Sequence, residues 1–134
     1  MVRLSKKAEY GLIAIRHIAT RPSGELVTAK EIADIYGIPY DLLAKVLQKL
    51  TKAGLIMSAQ GVRGGYALAR NPADIRVSAI INAIEGESPT IAQCMADGPD
   101  SCIVFTTCTI KSPLTKVQAN IERAFSSMTL SEIV

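Results

Sequence analysis

The sequence predicts a mainly α-helical fold with a small β-hairpin: a winged helix-turn-helix domain followed by a long C-terminal dimerisation helix. Three observations predict it. Two short amphipathic helices flank a turn around Gly37-Ile38-Pro39. Two strand-like runs follow directly and are joined by a glycine-rich tip. Near the C-terminus a narrow apolar seam recurs at a spacing of three to four residues.

The first helix is expected over Ser5 to Thr20. Leu12, Ile13, Ile15, Ile18 and Ala19 recur there at helical spacing, Ser5 is placed to cap the start, and Arg21-Pro22-Ser23-Gly24 is a turn signal. Thr28-Ala-Lys-Glu31 reads as a capping box, in which hydroxyl and carboxylate each satisfy an orphan amide at a helix start. The short helix that follows buries Ile32 and Ala33 and stops at Gly37, since glycine tolerates the left-handed conformation of a helix end. A third helix runs from about Tyr40 to Ala53, its apolar face made by Leu43, Val46, Leu47 and Leu50. Two short helices joined by a tight glycine-containing turn form a helix-turn-helix.

Strand-like runs at Leu55–Ser58 and Tyr66–Ala69 enclose Ala-Gln-Gly-Val-Arg-Gly-Gly, whose three glycines suit a hairpin tip; a hairpin in this place is a wing. Residues 77–85 form another apolar helix, ended by Gly86. A stretch of about 25 residues from Glu87 to Lys111 then carries all three cysteines. Loops longer than about 12–15 residues are usually functional or disordered. Ser112-Pro113 is expected to open the last long helix, with serine as cap and proline at the first position. Leu114, Val117, Ile121, Phe125 (or Ala124) and Met128 supply its seam, suited to a helix–helix contact. Thr129-Leu-Ser-Glu132 reads as a second capping box.

Composition narrows the function. A hydrophobic fraction of 49% supports a packed core and argues against disorder. No apolar run approaches the roughly 18 residues a membrane helix needs, and no signal peptide is evident. A cytoplasmic, reducing location is therefore expected, where cysteines are free thiols or metal ligands rather than disulfides. The net charge of +3 is unevenly spread: residues 1–70 carry 11 basic and 5 acidic side chains, whereas residues 71–134 carry 4 and 7. A basic front half suggests a polyanionic partner. An enzyme is not expected, because there is no C-x-x-C pair, no nucleotide-binding glycine fingerprint and no Cys–His couple in a sensible context.

With the apolar face of the third helix turned inward, Asp41, Lys45, Gln48 and Lys52 share one stripe, and Lys49 flanks it. Lys and Gln bond guanine and adenine edges, and the major groove of double-stranded DNA admits a helix carrying them. Arg63 at the wing tip fits a minor-groove or phosphate contact. Arg3, Ser5, Lys6 and Lys7 at the start of the first helix fit phosphate contacts that set affinity and salt dependence rather than sequence choice. Thr28, at the start of the second helix, is counted with the DNA-facing residues. The alternative is an ordinary solvated helix face; it is disfavoured here because a helix-turn-helix and a wing occur together. The organisation expected is thus a DNA-binding domain over 1–86 (helix-turn-helix about 28–53, wing about 55–69), a sensor loop over 87–111, and a dimerisation helix and tail over 112–134.

Cys94, Cys102 and Cys108 are separated by seven and five residues. Thiolates bind iron–sulfur clusters, and flexible spacing suits a loop that wraps one. Spacing alone leaves zinc, thiol redox chemistry and unligated thiols open. His17, the only histidine, lies among apolar residues and reads as a packed or surface side chain rather than a ligand.

Taken in order, these segments resemble the Rrf-type family of bacterial transcription regulators. The matching stretches are Val2–Tyr10, Leu42–Leu50, Ala53–Ser58, Gly61–Ala69 and Met128–Ile133. The resemblance implies a homodimer that crosses its long C-terminal helices and binds a palindromic operator, with Tyr40, Asp41, Ala44 and Lys45 at the base-reading start of the recognition helix. It further implies an iron–sulfur cluster on Cys94, Cys102 and Cys108 that senses iron, redox state or nitric oxide. Glu9, supplied by the other subunit, falls where nitric-oxide-sensing members have a fourth ligand; its plain alternative is an acid complementing a helix dipole. The chain departs from the cluster-regulating members at Ala44, Gln60 and Lys111, which replace an acid, an arginine and a histidine. Other members carry no cluster and respond to a metabolite or partner protein, so a cluster-free regulator of the same fold is the alternative.

Overall fold

A computed structural model of the chain describes residues 3–61, 64–86, 90, 98, 100, 103–104 and 106–134. Among these, five α-helices and one two-stranded antiparallel hairpin form a single core.

Helix α1 (Lys6–Ala19) starts where Ser5 Oγ accepts the Ala8 amide at 3.1 Å. Helix α2 (Ala29–Tyr36) starts where Thr28 Oγ1 accepts the Glu31 amide at 3.0 Å, and ends at Gly37 in the left-handed conformation, φ 69°. Only half of the expected capping box is made here, because the Glu31 carboxylate turns outward to His17 and Arg21 instead of back to Thr28. Helix α3 (Tyr40–Lys52) buries Leu43, Val46, Leu47 and Leu50, as its periodicity predicts. Each of these stabilises the fold by about 1.5–3 kcal/mol relative to an exposed side chain.

The hairpin pairs β1 (Ile56–Ala59) with β2 (Gly65–Leu68), Ile56 opposite Leu68 and Ala59 opposite Gly65, so each strand is displaced by one residue from its expected limits. Val27, just before α2, pairs with Tyr66 through hydrogen bonds of 2.9 and 2.7 Å, which docks the helix-turn-helix on the wing. Gly65 permits this approach: a Cβ there would stand 2.9 Å from the Val27 carbonyl oxygen. After a 3₁₀ turn at Pro72–Asp74, α4 (Val77–Glu85) ends at Gly86, φ 83°.

Helix α5 runs from Lys111 to Ser127 and packs on α4. It begins before the expected Ser112 cap: Ile110 holds the cap position with no side-chain bond, and Pro113 lies within the first turn. Proline is tolerated there because first-turn amides have no partner within the helix. Met128 is extended and lies just outside the helix. The chain then folds back on the first domain. Val77 donates its amide to the Met128 carbonyl at 2.9 Å, Leu130 donates to Ile75 at 2.8 Å, and Arg16 Nε reaches the Ile133 carbonyl at 2.8 Å. The second expected capping box is replaced by a 3₁₀ turn, Leu130–Glu132, where Thr129 Oγ1 meets Ser131 Oγ at 2.8 Å. Leu130 is fully buried in the core made by α1, α3 and α4.

Candidate nucleic-acid interface and sensor segment

Asp41, Lys45, Gln48 and Lys52 are all exposed along one side of α3, opposite its buried face. Asp41 sits in the first turn, where an acid complements the helix dipole, and Lys49 and Lys52 sit in the last. Tyr40 opens the helix and is 56% exposed. It shares a cleft of about 460 Å³ with Thr28, Ser58, Gln60, Gly64 and Tyr66, so the starts of α2 and α3 face the wing across one groove. The Thr28 hydroxyl accepts the Glu31 amide, which leaves its own proton free to donate outward. Arg63 and Val62, at the wing tip, lie outside the described residues.

A second recess, about 580 Å³, gathers Ser5, Lys6, Lys7, Leu42, Lys49, Ile84 and Glu85. Ser5 Oγ donates to the Glu85 carboxylate, tying the start of α1 to the end of α4. Lys49 Nζ donates to the Ile84 carbonyl oxygen at 3.1 Å, in the last turn of α4. Arg3 is exposed at the margin of this basic surface.

Of the sensor residues, Cys108 is half-buried and is a free thiol; Cys94 and Cys102 lie outside the described residues. Glu9 is in the first turn of α1, its carboxylate 3.1 Å from the Lys6 ammonium. Such exposed pairs contribute little and are readily exchanged. On α5, Leu114, Ile121 and Phe125 are half-buried while Val117 and Met128 are exposed; the buried member is Gln118, whose amide donates to Glu122 at 3.1 Å.

One cluster has no local signature in the sequence. His17 Nε2 is 2.8 Å from the Glu31 carboxylate and Nδ1 is 2.9 Å from the Tyr36 hydroxyl. A carboxylate only accepts, so Nε2 carries the proton, and in the neutral ring Nδ1 accepts from Tyr36. Arg21 bridges Glu31 and Glu25 at 2.7 and 3.1 Å. The hydrogen bond from His17 is the largest influence on the Glu31 carboxyl and lowers its pKa; partial burial opposes it and the Arg21 charge adds to it. The network locks α1 to the first helix of the helix-turn-helix, and it fits the expectation that His17 is no metal ligand.

Residues 4–134 match the Rrf2 family, described as an iron-dependent transcriptional regulator. The chain is 29% identical over 133 residues to the HTH-type transcriptional regulator NsrR of Shouchella clausii, covering 99% of this chain and 89% of that protein. Its structure is similar to that of T. potens IscR, with 32% identity, 98% and 85% coverage of the two chains and a TM-score of 0.75. It is also similar to the oxidised form of Staphylococcus aureus CymR, with 26% identity, 96% and 92% coverage and a TM-score of 0.73.

Proposed function

The chain belongs to the Rrf2 family of transcriptional regulators, and from that premise we propose that it is a homodimeric repressor of a palindromic operator, controlled by an iron–sulfur cluster on Cys94, Cys102 and Cys108. The observation that carries the DNA-reading part is the division of α3, with Leu43, Val46, Leu47 and Leu50 buried and Asp41, Lys45, Gln48 and Lys52 presented together. In this reading Lys45 and Gln48 bond base edges in the major groove, aided by Tyr40 and Asp41, and Lys52 follows the phosphates. Thr28, Arg3, Ser5 and Lys6 hold the backbone, and Arg63 extends the contact from the wing. Two copies pair along the α5 seam of Leu114, Val117, Ile121, Phe125 and Met128, covering its exposed apolar members.

For the sensor, three thiols in one segment are a donor set that suits a cluster, and the described Cys108 thiol is unpaired and half-buried. Cys94, Cys102 and Cys108 would hold it, with Glu9 of the second subunit as the fourth donor. When bound, it supplies a redox-active, thiolate-ligated centre. The chain's own part is mechanical. The cysteines lie between α4 and α5, so ordering that segment biases the packing of α5 on α4, and with it the spacing of the two recognition helices.

A second reading has a specific observation in its favour. The likeness to CymR in its oxidised form, together with a free Cys108 thiol, fits a cluster-free regulator that responds through thiol oxidation or a partner molecule. Iron and sulfide content and the visible spectrum of anaerobically purified protein, beside Cys102→Ala, decide between them. Brown protein with stoichiometric iron and sulfide, lost in the variant, is expected. Colourless, iron-free protein after attempted reconstitution leaves the thiol reading.

A further inference from the structure

Lys49 lies on the DNA-binding helix, yet its ammonium is engaged inside the protein. At 100° per residue it stands about 80° around α3 from Asp41, between the exposed stripe and the core. Its hydrogen bond to the Ile84 carbonyl places a cation on the last turn of α4, where the unsatisfied carbonyls and the helix dipole both favour one. On the other side of the same recess, Ser5 holds Glu85, so the end of α4 is bonded to α3 and to α1 at once. Gly86 then turns the chain out of α4, its amide donating to Asn82 at 2.8 Å, and the cysteine-bearing segment follows.

We infer that Lys49 is a positioning residue rather than a phosphate contact: it ties the recognition helix to the C-terminal end of α4, so that the state of the cysteine-bearing segment reaches α3 through this bond. The transmitted signal rests on the function proposed above; the tie itself does not. Ser5–Glu85 is the parallel tie to α1, which keeps α4 from rotating about the Lys49 contact alone. A phosphate-binding lysine and a positioning lysine differ in a measurable way. Removing the first releases one fewer counterion on binding, whereas removing the second leaves the ion stoichiometry alone.

The test uses the full-length protein as wild type, Lys49→Met and Lys49→Arg, each iron-loaded and each in a cluster-free Cys108→Ala background. Affinity for an operator fragment is titrated from low to moderate salt. Allosteric couplings typically change affinity about 5- to 150-fold. Lys49→Met is expected to bring the ratio between loaded and cluster-free forms to within about twofold of unity, with the slope of log affinity against log salt unchanged. Lys49→Arg, which can still donate to the carbonyl, is expected to restore the ratio. Hydrogen exchange of the Gly86 amide is expected to speed up in Lys49→Met, because the last turn of α4 loses its cation. A slope shallower by about 0.9 identifies a phosphate contact and overturns the inference. A ratio retained in Lys49→Met, or an unchanged Gly86 exchange rate, also overturns it. A wild-type ratio of unity refutes the cluster-sensing function instead, and the salt slope and Gly86 exchange still decide the tie.

Discussion

Leu130 offers the sharpest test of how the C-terminal tail is held. The tail returns from α5 to the DNA-binding domain through three backbone-linked contacts and inserts one fully buried leucine. Truncating it to alanine removes apolar contact and leaves a cavity that neighbours fill only in part. Leu→Ala changes in cores cost about 2–5 kcal/mol. Leu130 sits on a short 3₁₀ turn that can settle inward, so the lower half of that range, about 3 kcal/mol, is expected. An unfolding entropy of about 2.1 cal/mol/K per residue gives roughly 0.28 kcal/mol/K for a chain of 134 residues. Leu130→Ala should therefore lower Tm by about 10 °C. Calorimetry at one fixed protein concentration measures this, since dimer dissociation makes Tm concentration-dependent. Val134→Ala, at a residue 48% exposed, is the control and should move Tm by no more than about 2 °C. A shift below about 3 °C for Leu130→Ala would refute the docked tail.

Lys45→Ala should weaken operator binding and make the salt dependence shallower by about 0.9 if Lys45 also pairs with a phosphate; an unchanged slope with relaxed base preference would assign it to base reading alone. Gln48→Ala should relax discrimination at one base pair by about 1–3 kcal/mol, measured by selection from a randomised operator. The lowered pKa of Glu31 means that its ionised form is bound more favourably in the folded state, so its contribution is fully present above the ordinary glutamate range and is lost as pH falls through the lowered value. Urea midpoints taken down through that window should fall more steeply in wild type than in Glu31→Gln, and parallel curves would remove the role given to the His17 network. Gly65→Ala should destabilise by about 1–3 kcal/mol, because its Cβ would press on the Val27 carbonyl and loosen the wing; a neutral result by thermal denaturation would mean that this bridge is dispensable.

The helix-turn-helix was legible because its signals are local. Ser5 and Thr28 reach amides three residues on, Gly37 ends α2 in the one conformation it tolerates best, and the buried face of α3 repeats within its own two turns. The same local logic misled where a longer-range partner competed. Glu31 spans to Thr28 on paper, but His17 and Arg21 offer its carboxylate a charged and partly buried alternative. The Ser112 cap fails in a similar way, since α5 begins one turn-position earlier with Pro113 already inside it.

Residue spacing by itself determined the order of elements, the buried face of each DNA-binding helix and the candidate set of cysteines, because those depend on interactions within about four positions or on chemical type alone. Tertiary structure decided which polar groups meet across the fold: Lys49 with the end of α4, Ser5 with Glu85, His17 with Glu31 and Tyr36, and the tail with Ile75 and Val77. Their partners are separated by 14 to 117 positions in the chain. No local propensity encodes such distances; they are set only when packing of the apolar faces brings the helix ends together.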